Sequence, residues 1–98
     1  MYARVSFSTT QPGRIDEAIQ IQRESVLPAL KKQKGFKGVY FLTDRTTGKR
    51  ITISLWNTEA DMMATNQTSG VYRENAAKMG PLLAGHGTTE LYEVTVRG

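Results

Sequence analysis

The sequence predicts an α+β domain with elements in the order βαββαβ, the split-βαβ or ferredoxin-like arrangement, in which a four-stranded antiparallel sheet carries both helices on one face. Three observations carry this expectation. Four segments alternate apolar with polar residues or are rich in aromatic and β-branched side chains. Two longer segments repeat apolar residues at helical spacing, one after the first strand and one before the last. Turn chemistry alone separates the second strand from the third.

The first strand is read over Tyr2 to Ser8, where Ala3, Val5 and Phe7 alternate with Arg4, Ser6 and Ser8. Pro12 then stands where a first helical residue would, and Ile15, Ala18, Ile19, Val26, Leu27 and Leu30 recur at helical spacing. Pro28 lies inside this helix, so a kink or a distinct last turn is expected there, and Gly35 is a plausible C-terminal cap. Phe36 to Thr43 and Arg50 to Trp56 form a hairpin around Asp44-Arg45-Thr46-Thr47-Gly48-Lys49. Thr58, with Asp61 three positions on, opens a second helix that pauses at Thr68-Ser69-Gly70. It resumes through Val71, Tyr72, Ala76 and Met79 and stops near Gly80-Pro81. After Gly85-His86-Gly87 a fourth strand is read over Thr88 to Val96.

Composition narrows the function. At 98 residues, 39% hydrophobic and 22% charged, with no low-complexity tract, the chain is expected to fold throughout as one domain spanning residues 1–98. Its apolar runs are only a few residues long, against about 20 for a membrane span, and no leader-like segment opens it, so a cytoplasmic protein without membrane association is expected. With no Cys and the single His86, thiolate chemistry and a multi-His metal centre are excluded. The net charge of +4 is concentrated at Lys31, Lys32, Lys34 and Lys37, where a helix ends and its dipole favours cations, so nucleic acid is not expected as a partner. Phosphate-binding glycine loops are absent, and Asp16-Glu17 and Glu59-Asp61 lie in first helical turns that suit negative charge.

The helices cover one sheet face and leave the other bare, yet both faces carry large apolar residues. Val5, Phe7, Val39, Phe41, Ile53 and Val94 are expected on one, and Phe36, Tyr40, Leu42 and Trp56 on the other. A bare face of that character predicts a twofold sheet-on-sheet homodimer.

Gly35-Phe36-Lys37-Gly38 after the first helix, the third strand ending in Leu55-Trp56-Asn57-Thr58-Glu59, and the helix break before Val71-Tyr72-Arg73 resemble the antibiotic-biosynthesis-monooxygenase domain, a dimeric α/β barrel, over nearly the whole chain. The resemblance implies oxidation of a small aromatic quinol or phenol without metal, flavin or haem, so that no cofactor is expected: an electron-rich substrate anion reacts with oxygen itself in a dry pocket. Trp56 matches the Trp that ends the third strand in the quinone-forming members. Their Asn four positions earlier is Thr52 here, their Tyr six after is Met62, and their Arg twenty after is Ala76. The triad of the haem-degrading branch falls on Ser6, Thr65 and Asn75, and none of its members is present.

The candidate residues each carry two readings. Trp56 either stacks on a planar ligand in a catalytic role or belongs to the core. His86 is the natural general base for a phenol, or a solvated loop residue. Tyr72, on the helix expected to roof the pocket, and Tyr40 offer hydroxyls to a substrate or form the rim of the core. Arg4, Ser6, Thr52, Ser54 and Glu93 fall on the polar-bearing strand face, which either lines a cavity, with Ser6 and Thr52 binding substrate, or meets helix caps and solvent. On the second reading Arg4 opposite Glu93 is a cross-strand salt bridge. The functional expectation is a cofactor-independent monooxygenase with a small aromatic ligand. The alternatives are a non-catalytic ligand-binding or stress-associated barrel and an isomerase of similar architecture.

Overall fold

The computed structural model describes residues 1–65, 70–85 and 87–98, with only the backbone of residues 70–73 and 76. The order of elements is β1 (Tyr2–Thr9), α1 (Ile15–Ile21), a π-helical turn (Gln22–Val26), α2 (Leu27–Lys31), β2 (Phe36–Thr43), β3 (Lys49–Trp56), α3 (Glu59–Ala64), α4 (Gly70–Met79), a 3-10 turn (Gly80–Leu82) and β4 (Thr88–Glu93). The strands form one antiparallel sheet in the order β2-β3-β1-β4, as the ferredoxin-like α+β class requires.

Two boundaries differ from the sequence reading by more than one residue. Pro12 is not the first helical residue: Arg14 N–H donates to the Gln11 carbonyl across Pro12 and Gly13, and Gly13 adopts φ +80°. Proline followed by a left-handed glycine is the composition of a tight type II turn, so the helix starts at Ile15 instead. β4 ends at Glu93 rather than Val96, although Val94 still donates its N–H to the Met1 carbonyl.

The interruption at Pro28 takes a specific form. Proline has no N–H for the carbonyl four residues back and its ring crowds that carbonyl. The helix accommodates it by widening one turn ahead, where Leu27 N–H reaches back five residues to the Gln22 carbonyl. Pro28 then occupies the first turn of α2, where no donor is required of it.

Both helix signals at the other end of the sheet are realised. Thr58 Oγ1 accepts from Asp61 N–H at 3.1 Å and opens α3. Gly35 adopts φ +78° after α2, and a Cβ there would collide with the Asp61 carboxyl, so only glycine fits.

The two sheet faces are not divided as the alternation suggested. Tyr40 pairs with Ile53, and Ile53 with Val5, so these three share a face; Phe41 pairs with Thr52, and Thr52 with Ser6, on the opposite face. The error has a local cause. The register of β2 shifts between Phe36 and Gly38, and this bulge inserts one residue, which puts Phe36 and Val39 on the same side. Val39 and Phe41 therefore join Trp56 under the helices, while Tyr40 and Leu42 join Val5, Phe7 and Ile53 outside.

The helix-side core has two centres. Leu30, Trp56 and Met62 are buried together with Phe36, Val39 and Phe41 against them, and the Phe36 and Trp56 rings meet edge to face with centroids 5.6 Å apart. Ala18, Met79 and Leu82, joined by Ile21, hold α1 against α4. Arg4 is buried between sheet and helix, where its guanidinium donates to the Met62 carbonyl at 2.8 Å and the Thr65 carbonyl at 2.6 Å. Its neighbour across β4 is Leu91, and Glu93 stands opposite Tyr2, so the expected cross-strand pair with Glu93 gives way to capping of α3. Among the described residues no helix is long and apolar enough to cross a membrane.

Candidate functional site

Alternation along β3 decides where polar groups enter the interior. Arg50, Thr52 and Ser54 stand two residues apart, about 7 Å per step along the strand, and all three face the helices. Ser6 on β1 is the partner of Thr52 and extends the row sideways. Above these groups lies a cavity of about 230 Å³ between the sheet and the helices. Its walls are apolar, built by Val26 and Leu30 from the first helical segment, Phe41 from β2, and Met79 and Leu83 around the end of α4. Gln22 and Asn75 are the polar residues that line it from the helical layer.

Backbone pairing fixes the segment beside the cavity that carries Leu83. Thr10 bridges to Leu83, Gln11 N–H donates to the Leu82 carbonyl, and Ala84 N–H donates to the Thr9 carbonyl, both of these bonds being 2.8 Å. The segment after α4 is thereby tied to the end of β1.

Among the described residues Arg50 is the one formally charged side chain lining the cavity. Its Nε–H donates to Ser8 Oγ at 2.6 Å, and burial lowers the guanidinium pKa from its ordinary value, although a guanidinium stays protonated at any physiological pH. Among the described residues no carboxylate forms an ion pair with it, and the residues outside the description include no Asp or Glu. By contrast Arg45, on a neighbouring cavity of about 330 Å³, is paired with Asp16 at 3.0 Å.

Of the residues singled out from sequence, Ser6 and Thr52 line the cavity together. Trp56 does not: it is 0% exposed, and its indole N–H donates to Ser54 Oγ, so it reaches the cavity only through that hydroxyl. Tyr40 is 61% exposed on the opposite sheet face. His86 and the Tyr72 side chain lie outside the described residues.

Three lining residues went unassigned in the sequence reading. Arg50 begins the inward polar row of β3, a position that alternation could have identified. Gln22 falls four residues after Ala18 and four before Val26, making it the polar residue within an apolar stripe. Asn75 has the same relation to Met79 on α4. Among the described residues there is no cluster of three or more metal-ligating side chains. What the arrangement offers chemically is a largely apolar slot with hydroxyl-bearing residues on its floor, Gln22 and Asn75 on its roof and, among the described residues, one positive charge.

Comparison with solved structures places this architecture. SnoaB from Streptomyces nogalater, a cofactor-independent oxygenase solved in a mutant form, superposes with a TM-score of 0.80 over 98% of this chain and 94% of its own, at 14% identity. An antibiotic biosynthesis monooxygenase superposes with a TM-score of 0.78 over 98% of this chain and all of its own, also at 14% identity. Rv0793 from Mycobacterium tuberculosis gives 0.75 at 11% identity over 98% of this chain and 96% of its own. The fold is therefore that of the antibiotic biosynthesis monooxygenases. No family model matches the sequence. In sequence the chain is 33% identical over 96 residues to the uncharacterized protein Rv2558 of Mycobacterium tuberculosis, and 35% identical over 79 residues to Rv2557 of the same organism. It spans 39% and 35% of their lengths.

Proposed function

We propose that this chain is a cytoplasmic member of the antibiotic-biosynthesis-monooxygenase family, a homodimer that oxidises a small aromatic phenol or quinol with molecular oxygen and no cofactor. The observation that supports it is the cavity itself, an apolar slot floored by Ser6, Thr52 and Ser54, in a fold shared with a cofactor-independent oxygenase. A cavity of about 150 Å³ accepts one benzene ring, so about 230 Å³ suits one or two fused rings.

In this reading the hydroxyls of Ser6 and Thr52 hold the phenolic oxygen and the apolar walls exclude water, which strengthens each polar contact at the floor. Loss of the phenolic proton, assigned to His86 as base, gives an anion that delivers electrons to oxygen. One oxygen atom replaces a ring hydrogen and becomes a quinone carbonyl. The other leaves as water with the two hydrogens, so the substrate supplies every electron and no external reductant is consumed.

Oxygen uptake tests this directly. Metal-stripped protein with a panel of naphthols, quinols and anthrones under labelled oxygen is expected to accelerate uptake and place one labelled atom in the quinone and one in water. A rate equal to the protein-free reaction for every compound would overturn it, and binding without turnover would favour a ligand-binding protein.

A further inference from the structure

Among the described residues, two polar groups lining the cavity keep hydrogen-bonding capacity that the protein itself leaves unused. Gln22 is 4% exposed, yet among the described residues its side chain makes no hydrogen bond. Its amide atoms are not sealed in protein either, since among the described residues no fully buried side-chain N or O lacks a partner; they keep contact with the space of the two adjoining cavities that Gln22 lines. A carboxamide withdrawn from water without a hydrogen bond costs stability unless a ligand supplies one. The second group is Arg50, a half-buried cation held by Ser8 through Nε alone, with its two terminal amino groups free of any carboxylate among the described residues.

Both groups gather at one end of the cavity. Thr43 is the cross-strand partner of Arg50, and Gln22 borders the neighbouring cavity together with Thr43 and Phe41. At the far end of the row, about 13 Å along β3, stands Ser54. The slot is therefore polarised, cationic at one end and hydroxyl-bearing towards the other, with apolar walls between.

We infer that Arg50 and Gln22 form an anion-anchoring subsite, and that the ligand is a one- or two-ring phenol carrying a carboxylate on the ring. Two terminal guanidinium N–H groups match the two oxygens of a carboxylate, and the Gln22 amide adds a neutral donor to the same group. The ring then lies between Phe41 and Met79, with its phenolic oxygen at the Thr52 and Ser6 hydroxyls. This deepens the function proposed above and rests on it for the word substrate, but the subsite is a binding claim and is tested as one.

The test compares 5-hydroxy-1-naphthoate, whose carboxylate and hydroxyl lie at opposite ends of the ring system, with 1-naphthol by calorimetry on the full chain under nitrogen, where no turnover occurs. The carboxylate compound is expected to bind about 10- to 100-fold more tightly. Arg50→Met is expected to erase that preference while leaving 1-naphthol binding within about threefold, Arg50→Lys to retain part of it, and Gln22→Leu to reduce it by a smaller factor. Circular dichroism and the naphthol affinity report whether each variant is folded. Equal affinity of the two compounds, a preference that survives Arg50→Met, or no binding of either at millimolar concentration would overturn the inference. Anion-selective binding with no oxygen uptake in air would overturn the oxygenase reading and leave the subsite standing.

Discussion

The Trp56 indole N–H donates to Ser54 Oγ at 3.0 Å, two residues back on the same strand and face. Both side chains are buried, but only Ser54 borders the cavity. Trp56 thus acts as a positioning residue: by occupying an acceptor site of the hydroxyl it leaves the Ser54 O–H free to donate elsewhere. Its ring meanwhile packs on Phe36 and closes the end of the core.

Replacing Trp56 with Phe removes that donor and part of the ring volume, and is expected to lower stability by about 1–3 kcal/mol. Ser54→Ala leaves a buried indole N–H unpaired and should cost a comparable amount, with the double variant costing less than the sum of the two. Urea unfolding of the four proteins measures this coupling; strictly additive effects would show that the bond contributes nothing.

Arg4 acts on the opposite side of the same row. Its guanidinium satisfies the carbonyls of Met62 and Thr65 at the end of α3, and Thr65 Oγ1 at 3.0 Å. Arg4→Met is expected to destabilise the fold by about 2–4 kcal/mol, because it orphans buried carbonyls. Hydrogen exchange should show the loss first in α3. If unfolding free energy and α3 protection are unchanged, Arg4 does not hold the helix.

The β2–β3 turn carries a modest pH response. Asp44 accepts from Thr46 N–H and Thr47 N–H, and those two backbone bonds, in that order, hold its carboxyl below its ordinary pKa. A depressed folded-state pKa gives stabilisation that is complete above the unfolded value and is lost as pH falls through the folded one. The exposed turn should therefore loosen only below about pH 4. An NMR titration is expected to show Asp44 titrating below a free aspartate, with the shift abolished when Gly48→Val distorts the turn. A normal titration curve in the native protein would remove the claim.

The outer sheet face bears on the proposed dimer. Phe7, Leu42 and Tyr92 are exposed there beside Val5, Ile51 and Ile53, an apolar surface that two copies could bury against each other. Sedimentation equilibrium is expected to give a dimer whose unfolding midpoint rises with concentration. Leu42→Asp should yield monomers or unfolded chain without touching the cavity. A native monomer at micromolar concentration would refute the dimer.

Local chemistry alone determined the element order. Period-two segments, an apolar helical stripe, the Thr58 cap, the Gly35 stop and the Asp44-to-Lys49 turn each depend on neighbours within a few residues, so each could be located from the chain itself. What needed tertiary structure was the assignment of faces. Both sides of β2 and β3 carry large apolar residues, so alternation separates two sets without saying which one meets the helices. The bulge after Phe36 also breaks the count midway, which moved Val39 and Phe41 inward and Tyr40 outward. The cavity was half legible for the same reason. The chain itself leaves the face of Ser6, Thr52 and Ser54 either lining a cavity or meeting solvent, and only the covering helices decide for the cavity, while Arg50 and Gln22 join it through that packing alone. A polar residue becomes part of a site only when packing takes it out of water, and that is decided by contacts between residues far apart in the chain.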